Sequence, residues 1–292
     1  MTLPAGFTAG HWTDSVARTG CTVILCEGGA TAGVHMGGGA PATIQTDIIG
    51  PTSATAILHA VLLTGGSAFG LAAYGGVMKF LEERSVGIEV GFGEKKFHVP
   101  HVAGAVIFDL LNGDGSVRPD ANAGYAACRM ATDAPAEGAV GAGTGATVSK
   151  LMSGMSRPGG LGVFSIAVGA ATVSAIMVVN ALGDVWDGER NEWVYRSDDV
   201  ELARQWDNTT IGVVITDAKL DRDATRRVAM TAHDGLARAV RPAHTDRDGD
   251  TIFAMAAGPL EVDPFFVQRA AADAVERAIV RAVRSAGGTM KA

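Results

Sequence analysis

Nineteen consecutive residues, Leu161 to Val179, carry no charge. A run that long is enough to cross a bilayer as a helix; otherwise it belongs in a core. Two features separate these readings. The run is rich in Val, Ile and Thr, and Gly169-Ala170-Ala171 breaks it in the middle. β-branched residues suit a packed, pleated surface, and small residues between two apolar runs mark a turn. The run therefore predicts two buried strands, 161–168 and 172–179, joined by a short turn, and no membrane span.

The rest of the chain is consistent with a folded protein. Of its 292 residues, 47% are hydrophobic and 19% charged, which leaves little room for disorder. Lys and Arg number 24 against 31 Asp and Glu, a net charge of −7. That balance argues against a nucleic-acid partner, which needs a basic face. Three cysteines, Cys21, Cys26 and Cys128, are too few for a disulfide scaffold and have no zinc spacing. The first residues show no basic, then apolar, leader pattern. Both observations make a reducing cytoplasm the expected compartment.

Along the chain, strand and helix signals interleave. Thr22–Leu25 reads as a strand ending at Gly28-Gly29, and Gly37-Gly38-Gly39 with Pro41 as a loop. Thr52 or Ser53 is read as the cap of a helix to about Leu63, and a second helix is expected from about Ala68 to Glu83. Val102–Leu111 reads as a buried segment. Helices are expected after Asp120, after Asp221 or Asp223, and after Asp263 with Pro264 in its first turn. Thr210–Thr216 reads as a strand. Residues 184–200 form a polar excursion holding Trp186 and Trp193. The interleaving favours one α/β domain over 1–292 with several buried strands.

Familiar catalytic signatures are missing. There is no Walker A loop, no HExxH and no GxSxG elbow. Gly141, Gly143 and Gly145 share only their glycine content with a phosphate loop. His98 and His101 flank Pro100 without a carboxylate partner, so no metal site and no cofactor is expected.

The informative place is Asp248-Gly249-Asp250-Thr251-Ile252-Phe253-Ala254, where an acidic, glycine-containing loop runs into an apolar strand. Pattern alone leaves two readings for Thr251. It is an ordinary strand former, or it is a nucleophile. A hydroxyl needs a base within hydrogen-bond reach. A threonine at a free N-terminus carries its own, an α-amine with an ordinary pKa of about 7.7–8.0. Cleavage between Asp250 and Thr251 would create it: Oγ1 attacks the Asp250 carbonyl, the acyl group shifts from N to O, and water hydrolyses the ester.

Taken in order, several strings resemble the self-processing peptidase family S58. These are Gly10-His11-Trp12-Thr13-Asp14, Thr19-Gly20-Cys21-Thr22-Val23, Gly39-Ala40-Pro41, Thr46-Asp47 and Leu63-Thr64-Gly65-Gly66-Ser67-Ala68-Phe69-Gly70-Leu71. Val106-Ile107-Phe108-Asp109-Leu110, Asn208-Thr209-Thr210-Ile211-Gly212-Val213 and Asp248-Gly249-Asp250-Thr251 follow. The family includes L-aminopeptidase D-Ala-esterase/amidases, β-peptidyl aminopeptidases and 6-aminohexanoate-oligomer hydrolases. The resemblance implies a four-layer αββα sandwich, like N-terminal-nucleophile hydrolases with different connectivity. It implies cleavage into an α chain, 1–250, and a β chain, 251–292.

The resemblance also implies three roles. Thr251 is the nucleophile, Lys150 matches the lysine of the nylon-oligomer-hydrolase branch, and Asn180 matches the asparagine ending a core strand. The residues themselves leave Lys150 open to a surface-reaching role and Asn180 to a turn cap. Two departures stand out. Many members carry an acidic–basic pair before the early Gly-Gly, where this chain has His35-Met36-Gly37-Gly38-Gly39. The nucleophile is threonine, not the serine of the aminopeptidase branch. The expected reaction is hydrolysis of a small amide or oligopeptide-like substrate through an acyl-enzyme. The expected assembly is a homo-oligomer, a tetramer of α/β heterodimers, with Trp186 and Trp193 as candidate interface residues. The rivals are an aminopeptidase of the same family, an ornithine-acetyltransferase-like acyltransferase, and an uncleaved binding protein on the same scaffold.

Overall fold

A computed structural model describes residues 1–151, 156–197 and 208–287. In chain order the strands are β1 (Thr8–Asp14), β2 (Thr19–Met36), β3 (Thr43–Ile44), β4 (Ile57–Thr64), β5 (Ile88–Phe92), β6 (Lys95–Val99), β7 (Val102–Val106) and β8 (Thr147–Val148). Then come β9 (Arg157–Pro158), β10 (Gly160–Val168), β11 (Ala171–Asn180), β12 (Asp184–Asp187), β13 (Glu192–Tyr195), β14 (Thr209–Ala218), β15 (Val240–Arg241) and β16 (Thr251–Leu260). The helices are α1 (Tyr74–Glu82), α2 (Ala121–Arg129), α3 (Arg222–Ala239) and α4 (Pro264–Gly287).

The uncharged run forms the hairpin β10–β11, with Val168 facing Ala171 across the turn. No helix among the described residues is long and apolar enough to cross a membrane. The hairpin is one edge of a nine-stranded sheet ordered β10-β11-β14-β16-β2-β4-β7-β3, with β1 also on β2.

β2 explains how one sheet makes two layers. Its register on β4 shifts between Leu25 and Ala30. The first half pairs with β1 and β4; the second half pairs with β16 and returns to β4 only at Ala30 and Thr31. Irregular pairing bends a strand and increases its twist. The two halves of the sheet consequently face each other. Ile24, Leu58 and Leu63 from one half share a core with Ile176, Ile211 and Phe253 from the other. α3 and α4 cover the outer face of the β11–β14–β16 half, through Leu236, Val275 and Ile279 against Val179, Val214 and Ile252. α1 and α2 cover the other half, through Val77, Leu81 and Ala127 against Val23 and Leu62. The result is the expected αββα stack. α4 seats directly on β10: a Cβ added at Gly162 would lie 2.1 Å from the carbonyl oxygen of Ala278.

Asp120 and Asp221 cap α2 and α3 through Ala123 N–H and Ala224 N–H, and Asp263 Oδ1 accepts from Phe265 N–H at the start of α4. Three expectations are corrected. The segment read as a helix to Leu63 is strand β4. It lies inside the sheet and is apolar on both faces, and such a short run has no periodicity to separate strand from helix. The strand at Thr22–Leu25 does not end at Gly28-Gly29; the glycines lie at the irregularity, and pairing resumes at Ala30. The expected helix from Ala68 begins as a 3₁₀ segment, Ser67–Ala73, and becomes α-helical at Tyr74. Trp186 and Trp193 pack on each other edge-to-face at 5.1 Å, with Arg241 over both rings.

Candidate active site

Sheet pairing collects the expected site residues at one end of the inner layers. Thr251 is the first residue of β16, and Asn180 is the last of β11. β14 lies between them: Asn180 pairs with Thr209, and Thr251 with Ile211 two residues further along. Side chains two apart share a face of the sheet. Asn180 and Thr251 therefore both point to the inner layer, in line with Val178, Ile211 and Phe253. Thr251 and Asn180 are both 0% exposed.

Lys150 reaches the same corner from the glycine-rich segment. Its backbone N–H donates to Leu182 O at 2.9 Å, which anchors it just past the end of β11. Its side chain is 3% exposed, and Nζ donates to Asn180 Oδ1 at 2.9 Å. Lys150 thus does not reach the surface. A buried ammonium is costly unless polar groups surround it. Asn180 Oδ1 also accepts from Thr147 N–H at 3.0 Å, and Asn180 Nδ2 donates to Phe108 O at 3.2 Å. Asn180 is therefore a junction among three segments and not a turn cap. Next to Lys150, Ser149 has a left-handed φ of 57°, and its buried Oγ has no hydrogen-bond partner among the described residues. Such backbone costs of the order of 1–3 kcal/mol and gathers at functional sites.

The Leu63–Leu71 string has a structural job beside this corner. The Asp109 carboxylate accepts from Gly66 N–H and Thr19 Oγ1, both at 2.7 Å. Burial pushes its pKa up, against the pull of those donors.

The Asp250–Thr251 peptide is held on every side. Thr251 Oγ1 donates to Gly249 O at 2.9 Å. The carbonyl oxygen of Asp250 accepts from Gly37 N–H at 2.9 Å and Gly38 N–H at 3.3 Å. The Asp250 side chain accepts from Thr210 N–H at 2.8 Å, from His244 N–H at 3.0 Å, and faces His244 Nδ1 at 2.8 Å. His244 Nε2 meets His233 Nδ1 at 3.3 Å, and His233 Nε2 meets His35 O at 3.0 Å. Burial lowers the His233 pKa to about 4. Burial opposes charge on His244 too, but the hydrogen bond and charge of Asp250 outweigh it and raise its pKa. Asp248 is raised, by burial first and then by the neighbouring Asp250.

The profile of peptidase family S58 matches residues 5–292. The chain belongs to peptidase family S58. It is an amide hydrolase by class. It is 44% identical to an uncharacterised aminopeptidase of Mycobacterium leprae, over 83% of this chain and 72% of that protein. It is 29% identical to a 6-aminohexanoate-oligomer endohydrolase of Agromyces, over 87% of this chain and 73% of that one. Its fold matches the L-aminopeptidase D-Ala-esterase/amidase of Ochrobactrum anthropi, a variant of the Ntn-hydrolase fold. The TM-score is 0.73 at 21% identity, covering 98% of this chain and 88% of the other.

Within this S58 member, sequence reasoning names Thr251, Asp250, Asn180 and Lys150, and the structure brings all four to one end of the sheet. It misses Gly37 and Gly38 as donors and the pair His233–His244. The only local signals for these are the triple glycine and a histidine in the loop before Asp248. His98 is exposed on β6, and no cluster of potential metal ligands occurs among the described residues.

Proposed function

We propose that this S58 enzyme is a self-processing amide hydrolase whose nucleophile is Thr251, freed by cleavage of the Asp250–Thr251 bond. One observation carries the reading. Thr251 opens a central strand, with its side chain on the inner layer toward the corner where Lys150 and Asn180 meet. Cleavage there leaves an α-amine at the end of a strand that burial keeps in place.

In the reaction, the Thr251 α-amine takes the hydroxyl proton, and Oγ1 adds to the substrate amide carbonyl. The protonated amine then gives its proton to the leaving nitrogen. Water hydrolyses the ester and restores the hydroxyl. Asn180 supplies amide groups to hold the nucleophile or the oxyanion. The Lys150 ammonium stabilises developing negative charge and, as a like charge, lowers the amine pKa.

The substrates of this reading are peptide-like or ω-amino-acid oligomers of the 6-aminohexanoate type. The identity to an uncharacterised aminopeptidase favours a second reading, removal of N-terminal residues from peptides. The same reading places a tetramer of cleaved heterodimers in the cytoplasm. Denaturing electrophoresis and mass spectrometry of the purified protein test the central claim. The expected result is a large and a small chain, the small one beginning Thr-Ile-Phe-Ala. A Thr251→Ala protein that still splits at this bond sinks it.

A further inference from the structure

We infer that the Asp250–Thr251 bond sits in a dedicated cleavage site, in which the Gly37 and Gly38 amides form the oxyanion hole and His244 positions the scissile residue through its carboxylate. The inference rests on the proposal that the chain splits at this bond.

The first observation is the pair of donors. β2 ends at Met36, which pairs with Thr251. Gly37 N–H continues that register onto the carbonyl oxygen of Asp250, and Gly38 N–H, out of register, adds a second donor to the same oxygen. Two backbone donors aimed at a carbonyl that must carry negative charge in the transition state are the usual form of an oxyanion hole. The glycines are required by close approach. A Cβ at Gly37 would lie 2.7 Å from His233 Nδ1, and one at Gly38 would lie 2.1 Å from Asp248 O. This accounts for glycine at both donor positions.

The second observation is the proton inventory of the histidines. The His35 carbonyl only accepts, so His233 Nε2 carries a hydrogen. His233 is neutral, so its Nδ1 is bare and accepts from His244 Nε2–H. His244 Nδ1 faces a carboxylate oxygen and must donate as well. His244 is therefore an imidazolium, held by Asp250 on one side and His233 on the other. The groups facing it are Asp250 and Asp248 from its own loop, His233 from α3 and His35 from β2. Arg226 of α3 acts on His35 in turn. With Thr210 N–H on the other carboxylate oxygen, the clamp fixes Asp250 on both sides.

The step balances within the chain. Thr251 Oγ1 forms a bond to the Asp250 carbonyl carbon, and the C–N bond breaks. The hydroxyl proton ends on the freed Thr251 amine. Water then adds its hydroxyl to the acyl carbon and its proton to Oγ1, and the new acid gives its proton to the Thr251 amine, leaving a carboxylate at Asp250 and an ammonium at Thr251. The oxyanion between these stages lies on the Gly37 and Gly38 amides. The sign of the pH effect follows from the clamp. The imidazolium is present below the raised pKa of His244 and is lost as pH rises through it, so cleavage slows on the alkaline side.

The test is cleavage of the freshly translated full-length chain, followed by denaturing electrophoresis between about pH 5 and pH 9, the range in which a histidine titrates. The wild-type rate is expected to decline above the His244 pKa. His244→Ala, which removes a donor to Asp250, and Gly38→Ala, whose Cβ would push its N–H away from the Asp250 carbonyl, are each expected to slow cleavage at least about tenfold. His244→Gln offers Asp250 an amide donor that does not titrate. It is expected to restore part of the rate and to lack the alkaline decline, a result that a purely structural role would not produce. If the wild type splits and the three variants split at its rate with its pH profile, this inference is overturned and the proposed cleavage stands. If the wild type splits at no pH, both fall.

Discussion

The ammonium of Lys150 and the amide oxygen of Asn180 meet at 2.9 Å in the interior, joining the glycine-rich segment to the end of a central strand. Lys150 is 30 residues away from Asn180 in sequence, and the contact forms because its backbone is tied to Leu182. Each side chain helps satisfy the other in a place where an uncompensated polar group is expensive.

Asn180→Ala and Lys150→Met are accordingly expected to lower kcat on amide substrates by at least about 10²-fold, the scale for losing a positioned donor or charge. Steady-state kinetics on protein verified as fully split is the measurement. Near-wild-type turnover in either variant would remove that residue from the site.

The two chains produced by cleavage are expected to co-elute on size exclusion at neutral pH. β16 lies between β14 and β2, and α4 contributes Val267, Val275, Ile279 and Val283 to the outer core. Glu137 adds a polar tie: it accepts from Val163 N–H and pairs with Arg281 of α4. Burial opposes its charge, but Arg281 and Val163 hold its pKa below the ordinary value. A depressed carboxylate stabilises above its unfolded-state pKa and loses that contribution as pH falls through its folded value. Glu137→Gln should lower the Tm of the split protein at neutral pH, and the difference should shrink in acid. Elution of a free small chain at neutral pH would contradict the burial argument.

Asp109 should behave in the opposite sense. Its raised pKa means that folding favours the protonated form, so its ionisation costs stability as pH rises through the folded value. Asp109→Asn keeps an acceptor for Gly66 N–H and should remove that pH dependence. Asp109→Ala leaves the buried Gly66 donor unpaired and should cost about 1–3 kcal/mol. Urea unfolding across pH distinguishes the two variants; equal losses in both would reject the assignment.

Substrate class is decided by the amine. A hydrolase that does not anchor a free α-amine should cleave 6-aminohexanoate oligomers with blocked N-termini. Its groove should also tolerate changes in spacer length, since one methylene in an apolar pocket is worth only about 1–3 kcal/mol. Mass spectrometry of blocked and unblocked oligomers after incubation provides the comparison. Activity confined to unblocked α-amino-acid amides would establish the aminopeptidase reading instead.

What the sequence by itself determined is local. The uncharged run with its central small residues becomes the hairpin β10–β11, and Asp120, Asp221 and Asp263 mark three helix starts. The acidic loop meeting an apolar run at Thr251 becomes the opening of β16. Each of these is written within a few neighbouring residues, where capping, turns and periodicity operate. β4 was not legible because a run buried on both faces has no polar side to reveal its period. The path of β2 past Gly28-Gly29 was not legible because only its partners on either side show that pairing resumes. The setting of the scissile bond is the most distant product of all. Gly37 and His244 converge on Asp250, with His233 of α3 behind His244, because β16 pairs with β2 while α3 packs across both. No local pattern encodes contacts between segments about 200 residues apart; strand pairing and the burial of a helix against the sheet create them.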